Sequence, residues 1–399
     1  MLTSIALILV FGLFLGYTFR KMKIPSLIGM IVAGVLLGPS VFNVLDESIL
    51  EWSLDLRQIA LVIILTRAGL TLDIRDLKKV GRSALMMSFI PATVEIATVT
   101  LLGPLLLGMD RISSMVMGTV LAAVSPAVVV PLMLKIMKEG YGVKHSVPQL
   151  VLSGASIDDV FVIVAFTSFT TLSLSGNMNI LSFIGIPISI LLGILLGVVA
   201  GLLLISFFKH FHLSASIKLL LFLSLSFLLL EVEQQLVGVI SLSGLLAIMA
   251  MGITFKEKYP EIALRLSDSF DQLWIPAEVV LFVLVGTSLD ISYTLETGFA
   301  TVALVLLAGL TRMFGVFLST TGTILTTKEK IFTMGAYIPK ATVQAAIGSI
   351  PLAMGLPFGK EILTVSIVAI LITAPIGAFF IENSYRKLLD KDEKTTNKV

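Results

Sequence analysis

The sequence predicts an all-α polytopic membrane protein of about thirteen transmembrane helices, and three observations lead there. Of its 399 residues, 56% are hydrophobic and only 14% are charged, against about 25% charged in soluble globular chains. The mean hydropathy is +1.03. The charged residues fall in short runs between apolar stretches that reach the roughly 20 residues a bilayer crossing needs. This composition excludes a soluble enzyme, a nucleic-acid-binding domain and a disordered chain. The net charge of +2 is too small to attract an electrostatic partner such as nucleic acid. With no cysteine there is no disulfide framework, no thiolate chemistry and no zinc–sulfur centre, and no cofactor is implied.

The first six spans run roughly over 2–19, 24–40, 57–72, 83–107, 113–134 and 147–171. The first lacks a basic n-region and a cleavage site, so it reads as a retained span. It shares with the second a series of glycines (Gly12, Gly16, Gly29, Gly34, Gly38), which suits close helix packing, either inside the fold or at a dimer interface. The third carries Arg67 near its inner end, within snorkelling reach of the interface. Glu95 stands in the middle of the fourth, Pro126 interrupts the fifth, and Asp158 and Asp159 lie mid-way along the sixth. Two further spans follow, about 180–208 and 216–230. The last five are about 236–255, 274–289, 299–325, 331–354 and 361–381. Among them the eleventh carries Arg312, and the twelfth is interrupted by Pro339 beside Lys340. Residues 1–382 are thus assigned to one transmembrane domain and 383–399 to a short charged tail.

The loops test this count. One set of alternate loops and the tail hold 22 of the 28 basic residues, and the other set holds only Arg57, Arg111 and Lys360. By the positive-inside rule the N-terminus is outside and the C-terminus cytoplasmic, in a plasma (inner) membrane. His145, His210 and His212 fall in cytoplasmic loops and read as solvated.

Lipid offers no partners to backbone groups, so a helix broken in mid-membrane must line a cavity or be covered by protein. Proline stands beside polar residues in Ser125-Pro126 and again in Pro339-Lys340, seven spans apart. An odd offset places equivalent helices in opposite orientations, as inverted repeats require, here roughly 24–208 and 236–382. Interrupted segments at matching positions of two halves point to a transport site.

Ionisable groups inside spans cost at least about 2.5–3.5 kcal/mol each on insertion scales, so each is a functional candidate. Glu95 and Arg312 are also seven spans apart and read as a buried ion pair, structural or engaged in transport. Asp158 and Asp159 are the sharper signal. Two adjacent carboxylates in low dielectric do not both stay ionised without a proton, a cation or a basic partner. Arg312 and Lys340 are the available bases. Ser125, Ser153, Ser156 and carbonyls freed around Pro126 supply hard oxygen ligands, which suit Na⁺ or Li⁺ held at Asp158 and Asp159.

Val124-Ser125-Pro126-Ala127, the pair Asp158-Asp159 and Ile338-Pro339-Lys340-Ala341-Thr342-Val343-Gln344 together resemble the monovalent cation:proton antiporters. The resemblance is to the NHA-type branch, related to the bacterial NapA-like sodium/proton antiporters, and it extends over nearly the whole chain. It implies an inverted-repeat antiporter fold with two broken crossing helices, a dimer domain and a mobile core, and therefore a homodimer in the membrane lipid. It also implies that Asp159 carries cation and proton, with Asp158 as its charge-balancing neighbour and Ser125 at the crossover. Lys340 is a second candidate partner for either aspartate. Electrogenic bacterial members place a lysine where this chain has Arg312, whereas a glutamate–arginine pair like Glu95–Arg312 marks electroneutral relatives with an Asn-Asp pair, so the stoichiometry stays open. The expected activity is exchange of Na⁺ or Li⁺ for H⁺ by alternating access. A K⁺/H⁺ exchanger and a cation channel are the rivals. An intramembrane aspartyl protease is excluded, because its aspartates stand on separate helices.

Overall fold

The computed structural model describes residues 1–71, 82–175, 180–211, 213–236, 242–289 and 291–391, and every element named in them is helical. In chain order these are α1 (Leu2–Lys21), α2 (Ser26–Leu37), α3 (Glu47–Glu51), α4 (Ser53–Thr71), α5 (Arg82–Leu107), α6 (Arg111–Leu121), α7 (Pro126–Lys138), α8 (Val147–Ser175) and α9 (Ile180–His210). They continue with α10 (Ala215–Leu236), α11 (Gly244–Lys258), α12 (Pro260–Thr287), α13 (Ile291–Ser319), α14 (Thr327–Ala336), α15 (Thr342–Ile347), α16 (Ile350–Ala353) and α17 (Gly359–Leu388). Each of the thirteen predicted stretches coincides with one helix or with the pieces of a broken one. Among the described residues, nine helices are long and apolar enough to cross a membrane, counting α6 and α7 together. The basic residues Arg75, Lys78, Lys79, Lys394 and Lys398, together with His212 and the side chain of Ser156, lie outside the described ones.

Proline alone does not break these helices. Pro91, Pro104, Pro131, Pro276 and Pro375 all sit inside continuous helix. Two breaks, at 122–125 and 337–341, stand where polar side chains take up the backbone groups that a missing turn leaves bare. At the first, Pro126 opens α7 with Ser125 as the preceding cap residue, a position where proline's absent N–H costs nothing. The largest departure in length is α12, which starts at Pro260, well before the apolar stretch. Glu261, Arg265, Asp268 and Asp271 extend the helix as a polar leading segment.

The chain divides into two compact units interleaved along its length. One comprises Met1–Glu51, Lys79–Val162 and Phe282–Val399. In it α5 and α13 cross antiparallel, with Gly315 facing the backbone of Pro91 and Ser319 Oγ donating to the Met86 carbonyl at 3.2 Å. A Cβ at Gly315 would lie 2.6 Å from Pro91 Cα, so only glycine permits this approach. The glycine series of the first two spans is used for packing inside the chain, Gly29 against Leu15 and Gly34 against Val283 and Gly286. An apolar core of Met87, Val124, Met133, Val151, Val316, Phe332 and Ile381 joins α5, α7, α8, α13, α14 and α17.

At the lysine-rich end of this unit the predicted tail begins within α17, which runs to Leu388. Tyr385 donates to Glu139 at 2.6 Å, and the Gly142 N–H donates to the Asp390 carbonyl at 2.9 Å. His145 is not the solvated loop histidine expected. Its Nδ1 lies 2.9 Å from both carboxylate oxygens of buried Glu329, which also completes a capping box with Thr326 at the start of α14. The sequence-level reading of His145 failed because its partner is 184 residues away.

The other unit comprises Trp52–Lys78 and Ile163–Leu281. Here α11 packs against α9 and α4 through glycine contacts, Gly197 on Ala247 and Gly69 on Met249 and Gly252. Phe208, Phe222, Phe255 and Phe270 form an edge-to-face aromatic cluster. Arg67, expected to snorkel alone, forms an ion pair with Asp271 at a half-exposed position.

Candidate functional site

The two helix breaks meet directly. The Ser125 N–H donates to the Pro339 carbonyl at 2.8 Å. The Val124 N–H donates to Asp158 Oδ2 at 2.9 Å. Gln344 closes the junction from the other side, its Nε2 donating to the Ala123 carbonyl at 2.8 Å and its Oε1 accepting from the Ala341 N–H at 2.8 Å. The Lys340 N–H is taken by Thr373 Oγ1 at 3.0 Å. Every one of these groups is buried, so each bond spares a polar group the cost of standing unpaired in an apolar medium.

Arg312 is the hub. Its Nη2 donates to Asp158 Oδ2 at 2.7 Å and its Nη1 to Glu95 Oε2 at 3.1 Å. Its Nε donates to the Tyr337 carbonyl at 3.0 Å, and Nη1 also reaches the Ala122 carbonyl. The C-terminal ends of α6 and α14 thus face a cation, the favoured sign there. The close contact of Gly315 with Pro91 makes the Glu95 contact possible. Glu95 follows Pro91 by one turn and Arg312 precedes Gly315 by about one, so an antiparallel crossing brings them level.

Lys340 stands elsewhere than expected. Its Nζ lies 2.6 Å from Glu95 Oε1 and donates to the Leu121 carbonyl, and neither aspartate is its ion-pair partner. Glu95 therefore has two cations and Asp158 has one. Asp159 has none among the described residues. Asp158 Oδ1, Asp159 Oδ1, Ser125 Oγ and Thr342 Oγ1 are buried without a hydrogen-bond partner. With Glu95, Asp158 and Asp159 against Arg312 and Lys340, the cluster is one positive charge short when all five are ionised. One monovalent cation or one proton makes it neutral.

All eight sequence-derived candidates fall in this region. Glu95, Asp158, Arg312 and Lys340 form the ion-pair chain. Pro126 and Pro339 flank the breaks, Ser125 ties them, and Asp159 adjoins Asp158 on α8. Thr373 was missed, and Thr342 and Gln344 stood in the family motif without a role of their own. Attention to ionisable groups alone passed them over, although a glutamine in an apolar run beside a broken helix carries the same signal more weakly. Tyr337 was also missed. Its ring lies beside Arg312, the guanidinium carbon 5.5 Å from the centroid, and Gly154 leaves room for its hydroxyl.

Comparison with known proteins gives a consistent result. The family described as sodium/hydrogen exchanger, transmembrane, matches residues 5–382. The chain is 34% identical over 402 residues to sodium/hydrogen exchanger 9B2 of Xenopus tropicalis, covering 96% of this chain and 74% of that one. It is 35% identical over 385 residues to the Homo sapiens exchanger 9B2, covering 93% and 71%. Among solved structures it is similar to the sodium proton antiporter MjNhaP1 from Methanocaldococcus jannaschii at pH 8, with a TM-score of 0.83, 21% identity and coverage of 97% and 98%. That likeness is one of fold, the all-α inverted-repeat antiporter fold with bent and broken helices.

Proposed function

The chain belongs to the transmembrane sodium/hydrogen exchanger family, and we propose that it exchanges Na⁺ or Li⁺ for H⁺ through competition at Asp159. The observation that carries this reading is the charge imbalance of the crossover. Asp158 is held by Arg312 and the Val124 N–H, while Asp159 has no basic partner among the described residues and a buried, unpartnered oxygen. A proton or a dehydrated alkali cation each supplies the missing charge, and the two exclude one another. Hard oxygens from Asp158, Ser125 and Thr342 suit such a cation.

A crossover carrying an uncompensated charge is costly to move through a low-dielectric barrier. It therefore crosses loaded with either ion and does not return empty, which couples the two fluxes. One missing charge, filled by one proton or one Na⁺, makes the exchange one for one and insensitive to membrane potential. The excess of lysine and arginine in one set of alternate loops supports a cytoplasmic C-terminus. The breaks at 122–125 and 337–341 support a reading as inverted repeats of roughly 24–208 and 236–382.

The test is proton movement in proteoliposomes on adding Na⁺, Li⁺ or K⁺, with the potential clamped and then released. Na⁺ and Li⁺ are expected to dissipate a pH gradient at either setting, and Asp159→Asn is expected to abolish this while the protein stays folded. Ion-dependent exchange persisting in Asp159→Asn removes that residue from the role. Proton movement driven by K⁺ alone keeps the site and changes the substrate.

A further inference from the structure

A cavity of about 1260 Å³ lies between the last turns of α17 and the turn joining α1 to α2. Its wall changes character along α17. Pro375, Ile376 and Phe379 are apolar, with Ile376 and Phe379 49% and 69% exposed, and within two to three turns they give way to Asn383, Arg386 and Lys387. The α1–α2 turn contributes Lys23, fixed in a left-handed conformation with φ 63°.

The charges in this cavity do not cancel. Its one acidic lining residue, Glu382, pairs with Lys135 at 3.3 Å, and Arg386 is shared with Glu139 at 3.3 Å. Lys23 and Lys387 have no acidic partner among the described residues. Ser384, also in the lining, has a buried hydroxyl without a hydrogen-bond partner. The helix itself sets the depth. α17 has 30 residues, about 45 Å at 1.5 Å per residue, against a hydrocarbon thickness of about 30 Å. Its apolar stretch therefore meets acyl chains, and its basic end reaches the headgroups.

We propose that this cavity binds one anionic phospholipid of the lysine-rich leaflet, its phosphate between Lys23, Lys387 and the Ser384 hydroxyl and an acyl chain along Ile376 and Phe379. A free phosphate leaves the apolar wall bare, and a zwitterionic lipid leaves the lysines uncompensated, so one molecule carrying both features fits. The site backs the crossover, because α17 also packs Gly377 against Pro339 and offers Thr373 to the Lys340 N–H. Neither Lys23 nor Lys387 belongs to the ion-pair cluster.

The test uses the full chain in detergent, titrated with phosphatidylglycerol, phosphatidylcholine or inorganic phosphate and read by native mass spectrometry and thermal unfolding. Phosphatidylglycerol should remain bound and raise the unfolding midpoint, and the other two should not. The double variant Lys23→Gln/Lys387→Gln should bind phosphatidylglycerol on the order of ten- to thirtyfold more weakly. Ile376→Trp, which fills the cavity with both lysines intact, should also weaken it, whereas Lys256→Gln/Lys258→Gln in the other unit should not. Equal binding of phosphatidylcholine, an equal effect of phosphate alone, or undiminished binding by the double variant overturns the proposal.

Discussion

Lys340 is bound to Glu95, Nζ to Oε1 at 2.6 Å, and to neither aspartate. Glu95 is thereby neutralised from two sides, by Lys340 and by Arg312, while the carboxylate of Asp159 has no cation among the described residues. Charge is distributed unevenly within one buried cluster, and the exchange proposed above rests on that unevenness.

Removing charge at the two ends of this distribution should have opposite effects on stability. Glu95→Gln leaves Arg312 with Asp158 as its one carboxylate and Lys340 buried with no carboxylate partner among the described residues, and should cost about 3–5 kcal/mol, the usual loss when one member of a buried pair goes. Asp159→Asn removes an uncompensated buried carboxylate and should leave the unfolding midpoint unchanged or higher. Thermal unfolding in one detergent compares them. Equal losses in both variants would place the missing charge elsewhere.

The α5–α13 crossing depends on one hydrogen atom. Gly315→Ala sets a Cβ 2.6 Å from Pro91 Cα, which pushes the helices apart and lengthens the contact between Glu95 and Arg312. We predict a loss of about 1–3 kcal/mol, the range for overpacking, together with reduced exchange. Gly309→Ala on the same helix meets nothing within 4 Å and should be neutral or stabilising. If the two variants unfold alike, the close approach is not what holds this crossing.

Stability should fall in acid through Glu329. Burial favours its neutral form, but the hydrogen bonds from the Thr326 N–H and His145 outweigh this and hold the carboxyl below its ordinary value of 4.5. A depressed value means the contribution is present above 4.5 and lost as pH falls through the folded value. The gap in unfolding midpoint between the wild type and Glu329→Gln should therefore be constant near neutrality and close in acid. A gap that persists in acid would show that the contribution does not depend on ionisation.

Much of this was legible in the sequence because membranes restrict the choices. Apolar length gave the spans, the placement of lysines gave their alternation, and the cost of buried charge drew attention to Glu95, Asp158, Asp159, Arg312 and Lys340. Pairing was less legible. Pseudo-symmetry matched Glu95 with Arg312 correctly but left Lys340 free to choose, since spacing along a chain does not say which of three carboxylates lies within 3 Å. Gln344 and Glu329 were passed over for a related reason. Each takes its role from a partner far away in sequence, Ala123 for one and His145 for the other. The prolines show the same limit, because Pro91 and Pro126 look alike until the polar groups around each are known.

The hydrogen bond from Ser125 to Pro339, with Val124 on Asp158 and Gln344 on Ala123, knots three separate stretches of chain into one block. In the exchange proposed above, a displacement that turns the carboxylates from one aqueous face to the other would carry that block whole, since loosening it would bare several amides in oil at once. Its internal distances are then constants of the transport cycle. A pair of spectroscopic labels within it would report stillness throughout turnover, and the travel would be recorded only against a landmark outside.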